Sequence, residues 1–223
     1  MPKTAPFVAH HEDYEQWFEE HSAAYVSELL ALRAFVPVQG RGLEIGVGTG
    51  RFAAPLGVRV GIDPAVQLLA YAARRGVSVV GGAAEALPFV DGTFDYAIVV
   101  TTICFVDSPR AMMDEAYRVL RPKGTLVIGF IDRNSEMGQH YQAHRMESVF
   151  YRDATFHSAS EVEDMLRGAR FAVRGWAQTL FGASPAIQEV QPVRPGVGQG
   201  AFVVVTAERP WQLACLSPDA VGL

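Results

Sequence analysis

Residues 43–64 run LEIGVGTGRFAAPLGVRVGIDP: an apolar stretch, a turn with glycine at every second position, a short helical stretch, a second apolar stretch and an acid. A strand that feeds a glycine turn and then a helix brings bare backbone up to a ligand, as nucleotide-like molecules require. Three ligand classes compete for such a turn. A nucleoside triphosphate needs a Gly-Lys-Ser/Thr ending to hold its phosphates and magnesium, but Gly50 is followed by Arg51 and Phe52. A dinucleotide turn of the G-x-G-x-x-G type starting at Gly46 needs glycine at position 51, where Arg51 stands. What remains is Glu44-x-Gly46-x-Gly48-x-Gly50, with Asp63 at the end of the second apolar run. The acid in the first strand repels a pyrophosphate and suits an ammonium group, and Asp63 can accept from both hydroxyls of a ribose. An acid at each end with no phosphate partner between them describes a cationic adenosyl amino acid.

The rest of the chain sets this turn in an α/β frame. Runs rich in Val and Ile at 42–46, 58–62, 77–81, 95–101 and 125–131 alternate with helical segments at 65–75 and 109–120. Such alternation predicts a parallel sheet covered on both faces. Upstream, Trp17, Phe18, Tyr25, Leu29, Leu32 and Phe35 recur at helical spacing until Pro37. After the fifth run comes a partly helical insertion, then a helix at about 160–168. Strands at 171–181 and 200–208 follow, joined by a Pro/Gly-rich loop of 182–199. Two strands joined without a helix should be antiparallel. The expected division is one domain over 1–210, with an N-terminal helical cap at about 10–36 and an insertion at about 132–157. The tail, 211–223, is expected to pack loosely or be disordered.

Composition narrows the partners. A formal charge of −5 without a Lys/Arg stripe gives no footprint for nucleic acid. No run has signal-peptide or membrane-spanning character, so integral membrane association is not expected and the reading is cytoplasmic. Cys104 and Cys215 are too far apart in sequence to suggest a disulfide framework or zinc spacing.

Five blocks, LEIGVGTG, GIDP, GAAEALPF, DGTFDYAIV and EAYRVLRPKGTLVIGF, occur in an order and spacing that resemble the class I S-adenosylmethionine-dependent methyltransferases. More narrowly, the chain is similar to the small-molecule group that includes the ubiquinone/menaquinone-biosynthesis methyltransferases, strongly over about residues 40–131. The resemblance implies a Rossmann-like three-layer α/β sandwich and S-adenosylmethionine as cofactor. Its sheet would have about seven strands, mostly parallel, in order 3-2-1-4-5-7-6 with the last hairpin antiparallel. Carried over residue by residue, it implies that Gly46, Gly48 and Gly50 line the methionine and ribose. Glu44 would sit near the amino group, directly or through water, and Asp63 would take the ribose. The backbone N–H of Ala84 would meet an adenine nitrogen, and Thr101 would face the methionine end. Two departures stand out. Relatives usually carry Asp where Ala83 stands, leaving Glu85 as a candidate for the adenine amino group. The stretch from Gly50 to Asp63 is also about one helical turn shorter than usual.

Methyl transfer is a displacement at a sulfonium carbon and needs a base only if the nucleophile arrives protonated. His140 and His144 lie four apart in GQHYQAH and would share one helix face. They lack the Glu of H-E-x-x-H and an evident third ligand, so no metal site is expected. A solvated helix face or a base on a substrate lid remain. Cys104 follows the fourth strand, as an apolar filler or as a reactive thiol. His157 is expected to precede a helix N-cap. Tyr14, Trp17 and Phe18 form either a core stripe or a lid over the cofactor. The function expected is methyl transfer to a small-molecule acceptor defined by residues 10–35, 132–157 and 182–199, with a homodimer left open. The alternatives are a non-catalytic S-adenosylmethionine-binding sensor or partner protein and, against Arg51, an NAD-dependent oxidoreductase.

Overall fold

The computed structural model describes residues 3–182 and 187–211. Three helices open it: α1 (Ala5–Ala9), α2 (His11–Glu20) and α3 (Ser22–Arg33). β1 (Gly42–Ile45), α4 (Ala53–Leu56), β2 (Val60–Asp63), α5 (Val66–Arg74), β3 (Ser78–Gly81) and β4 (Phe94–Val100) follow. α6 (Pro109–Val119) runs straight into β5 (Leu120–Ile131), and α7 (Glu136–Ala143) lies in the insertion. α8 (Ala159–Gly168), β6 (Ala172–Phe181), β7 (Arg194–Pro195) and β8 (Gly200–Glu208) complete the order.

The strands form one sheet in the order β3-β2-β1-β4-β5-β8-β6-β7. β1 to β5 are parallel, and β8 runs antiparallel between β5 and β6. The expected order and antiparallel hairpin hold, with one strand more than the seven anticipated. The addition is β7, two residues pairing Pro195 with Ala177 and Arg194 with Gln178 at the sheet edge. An edge is where a strand can tolerate proline.

Alternation along the strands sorts the core into two faces. Ala97, Val99, Leu126, Ile128, Val203 and Val205 face α6 and α8, where Met112, Met113, Val162 and Leu166 are buried. Tyr96, Ile98, Val100, Val127, Phe202 and Val204 face α3, α4 and α5. The result is a three-layer sandwich. Ser158 caps α8 in a reciprocal box with Glu161, immediately after His157 as expected.

The N-terminal cap departs from the single helical stretch read from 11 to 35. It starts at Ala5, with Pro6 in the first turn, and breaks where His10 (φ −123°, ψ 39°) and His21 (φ −111°, ψ 37°) leave helical geometry. Strand order reverses between β1 and β4, and the C-terminal ends of β1, β2 and β4 deliver Gly46, Asp63 and Thr101 to the same edge. In open α/β sheets, that crevice is where ligands bind. Among the described residues, no helix is long and apolar enough to cross a membrane.

Candidate active site

After β1 the backbone takes positive φ at Gly46 (81°), Gly48 (49°) and Gly50 (80°). These are conformations that L side chains rarely adopt. The three differ in what surrounds them. A Cβ on Gly46 would meet the Thr102 hydroxyl at 2.2 Å, and one on Gly50 would meet the Ala72 backbone at 2.9 Å. One on Gly48 would meet nothing within 4 Å. Gly46 and Gly50 therefore serve the packing, and Gly48 faces open space. Asp63 braces the turn: its Oδ2 accepts from the Gly48 N–H and its Oδ1 from the Ala65 N–H, both at 2.8 Å. Burial raises the Asp63 pKa although those two bonds oppose it. Each oxygen keeps further acceptor capacity for a ligand.

In front of Gly48 and Asp63 lies a cavity of about 700 Å³, counting its open mouth. Gly46, Ala84, Glu85 and Thr101 also line it, and Lys3, Thr4, Phe7 and Tyr14 form the cap side. Thr101 lies just past β4 in a left-handed conformation, φ 53°. The cap is fastened to the turn by charge. Glu15 on α2 receives Arg51 Nε at 3.0 Å and Arg75 Nη2 at 2.6 Å, while Arg75 also donates to the Thr49 carbonyl at 2.8 Å. Arg51 further pairs with Glu19 at 2.8 Å and stacks over Phe18. Burial pushes the Glu15 carboxyl up, but the hydrogen bonds and charge of Arg51 and Arg75 outweigh it and hold the pKa below the usual range.

A second cavity of about 830 Å³ adjoins the first. Phe7, Tyr14, Thr101 and Phe105 line both. Its remaining walls are largely aromatic, with Trp17 and Phe18 from α2, Phe52 beside the glycine turn, and Tyr141, Phe150 and Tyr151 from the insertion. Burial, then the charges of Glu44 and Asp63, raise the pKa of Tyr14, so its hydroxyl stays protonated.

Residues 43–128 match a family model described as "Methyltransferase domain". The crystal structure of an S-adenosylmethionine-dependent methyltransferase from Thermotoga maritima is 44% identical, with a TM-score of 0.89 over 92% of this chain and 98% of its own. The chain belongs to the S-adenosylmethionine-dependent methyltransferases. It is an enzyme of that family, and S-adenosylmethionine is its cofactor. The Thermotoga protein is described as a possible histamine N-methyltransferase. An uncharacterized protein from Methanocaldococcus jannaschii is 41% identical over 203 residues, 91% of this chain and 98% of that one. A ubiquinone/menaquinone biosynthesis C-methyltransferase from Roseobacter denitrificans is 47% identical over 49 residues, 22% of this chain and 20% of its own.

The methyltransferase gathers some of the residues singled out by sequence and leaves others aside. Gly46, Gly48, Asp63, Ala84, Glu85 and Thr101 share the first cavity, and Tyr14, Trp17 and Phe18 line the second. Glu85 is already engaged: its Oε1 accepts from the N–H groups of Asp107 at 2.8 Å and Ser108 at 3.3 Å, anchoring the loop after β4. Gly50 and Glu44 do not line the cavity. Glu44 is buried behind the turn, and burial raises its pKa well above the usual value, against the pull of the Ala53 N–H. The His140 and His144 rings lie with centroids 4.3 Å apart, tilted by 34°, on the exposed side of α7 and line neither cavity. The Cys104 thiol donates to the Thr101 carbonyl at 2.9 Å, and burial pushes its pKa up to about 12. A nucleophile needs a thiolate, which this setting disfavours. Cys215 and the tail beyond residue 211 lie outside the described residues.

Sequence reasoning missed Phe7, Phe105, Phe150, Tyr151 and Glu28. The last had a signal. Residues 24, 27, 28, 31 and 32 form the buried stripe of α3, and Glu28 stands in it. Only 5% of Glu28 is exposed, it lines the second cavity, and burial pushes its pKa up to about 8.

Proposed function

We propose that the methyltransferase transfers a methyl group to a small-molecule acceptor by in-line displacement, with the donor in the first cavity and the acceptor in the second. The observation that carries this reading is the junction: Phe7, Tyr14, Thr101 and Phe105 belong to both walls, so the two occupants would meet there. S-adenosylmethionine supplies an electrophilic methyl group. The chain's own residues fit such a donor. Gly48 leaves room for a flat ligand against backbone, Asp63 keeps acceptor capacity toward a ribose, and Ala84 and Glu85 form an edge where adenine would lie. Gly46 lines the methionine side, and Gly50 and Glu44 support the turn from behind.

In displacement at a sulfonium, positive charge disappears as the bond forms, so a dry site that holds the nucleophile at roughly 3 Å supplies much of the acceleration. Aromatic walls and a cap fastened to the turn would limit water at the reacting atoms, and Thr101 and Tyr14 stand where the acceptor would be aligned. Among the described residues no histidine lines either cavity, so the reading assigns no histidine base. An aromatic cavity under a helical cap suits a small molecule, and the formal charge of −5 disfavours a polyanion.

The test is to incubate the protein with methyl-labelled S-adenosylmethionine and a cell extract split by size into metabolites, proteins and nucleic acids. Label should move into the metabolite fraction. Label that enters only protein or nucleic acid would overturn the small-molecule reading.

A further inference from the structure

We infer that the second cavity is built for a small organic cation, an amine on an apolar or aromatic body, with the Glu28 carboxylate as its counter-ion. This rests on the reading of that cavity as the acceptor site. Three observations converge. Glu28 is 95% buried, taking its 5% exposure from the whole, and lines the cavity with no hydrogen-bond or ion-pair partner among the described residues. A buried carboxyl without a partner is costly, and the cavity is the side from which a partner can arrive. Among the described residues no Lys, Arg or His lines the cavity, so none of them offers the carboxyl a cation. Trp17, Phe18, Tyr141 and Tyr151 surround the space with aromatic rings, whose faces attract cations. An anionic acceptor would meet the like charge of an ionised Glu28 and, among the described residues, no cationic side chain to offset it.

The groups whose charge is coupled to Glu28 do not compete with it. They are Tyr14 from α2, Tyr25 from its own helix, Tyr141 from α7 and Tyr151 from the loop that follows, and burial raises the pKa of each hydroxyl. All four stay protonated where Glu28 titrates. Burial holds the carboxyl protonated to about pH 8, so an entering cation must displace that proton. Glu28 lines the second cavity alone, back from the junction, which makes it a specificity residue and not a catalytic one.

The experiment uses the full chain saturated with S-adenosylhomocysteine and titrates choline against its uncharged isostere, 3,3-dimethylbutan-1-ol, at pH 8.5. Choline should bind at least about tenfold more tightly. Glu28→Gln should reduce that preference to about threefold or less, while S-adenosylhomocysteine affinity stays unchanged. Should that variant fail to fold, the wild type still decides: choline affinity should rise at least about tenfold between pH 6 and 8.5 as the proton leaves. Equal affinity for the two probes, a preference that survives Glu28→Gln, a flat pH profile, or no choline binding at pH 8.5 would each overturn the inference. Failure to bind S-adenosylhomocysteine would instead sink the donor assignment, so the two readings fail separately.

Discussion

The two cavities share a wall at Thr101 and are made in opposite ways. The first is shaped by backbone: three positive φ values within five residues, two N–H groups on Asp63, and the ends of neighbouring strands. The second is shaped by side chains drawn from Phe7 to Ile187, across the cap, the glycine turn, the insertion and the edge of the sheet. A backbone site is specified by a short local motif and varies little without losing its ligand. A side-chain site can change occupant through a few substitutions while the fold stays put.

Gly48→Val should break the comparison on the donor side with the largest effect. The branched side chain enters the open space at a φ that disfavours it, and donor affinity should fall by at least about 3 kcal/mol. Choline binding in the second cavity should persist. Calorimetry with S-adenosylhomocysteine checks this, and a folded Gly48→Val protein with normal affinity would place the donor elsewhere. Asp63→Ala comes next, at about 2 kcal/mol of donor affinity, since a ribose acceptor and the brace on Gly48 go together. Unchanged affinity would remove Asp63 from the site.

Glu28→Gln sharpens the other side through stability. The folded carboxyl keeps its proton to about pH 8, against an ordinary value of 4.5, so the native state binds more protons between those limits. That contribution is fully present below pH 4.5 and lost as pH rises through 8. Glu28→Gln should therefore be more stable than the wild type by up to about 4 kcal/mol at pH 8, with the two converging near pH 4. Denaturant titrations at both pH values read this, and an equal midpoint at pH 8 would contradict the burial cost. The smallest effect expected is from Ala83→Asp. A carboxylate restored at the adenine edge should tighten donor binding by about 1 kcal/mol or less once its desolvation is subtracted. Weaker binding would mean that the adenine amino group already has a partner.

Much of the donor side was legible in the sequence because its determinants are local. Glycines at alternate positions and an acid closing a strand can be read without knowing what packs on them. Glu44 shows where that reading ends. Leu43 and Ile45 point to the α6–α8 face, so Glu44 is buried on the other face, a placement that its position beside the glycines does not reveal. The α7 histidines show the same limit: spacing puts His140 and His144 on one side of a helix without saying that the side is the outer one. The acceptor side was hardest to read. α1 is five residues long, too short for a period to reveal Phe7, and Phe150 and Tyr151 sit in a segment without periodicity. Glu28 was visible as a charge in the stripe of α3, but a search for apolar positions passes over it.

Phe7 and Tyr14 face both cavities, and that makes the two occupancies thermodynamically linked. A ligand that fills the first cavity restrains side chains that a ligand in the second would otherwise have to order itself. Linkage is reciprocal: the factor by which one ligand tightens the other is the same in either direction. If the first cavity takes the donor and the second the acceptor, as proposed, a spent donor would help retain the methylated product, and the product the spent donor. On that assignment, any product inhibition would depend on how strongly Phe7 and Tyr14 couple the two sides of the shared wall.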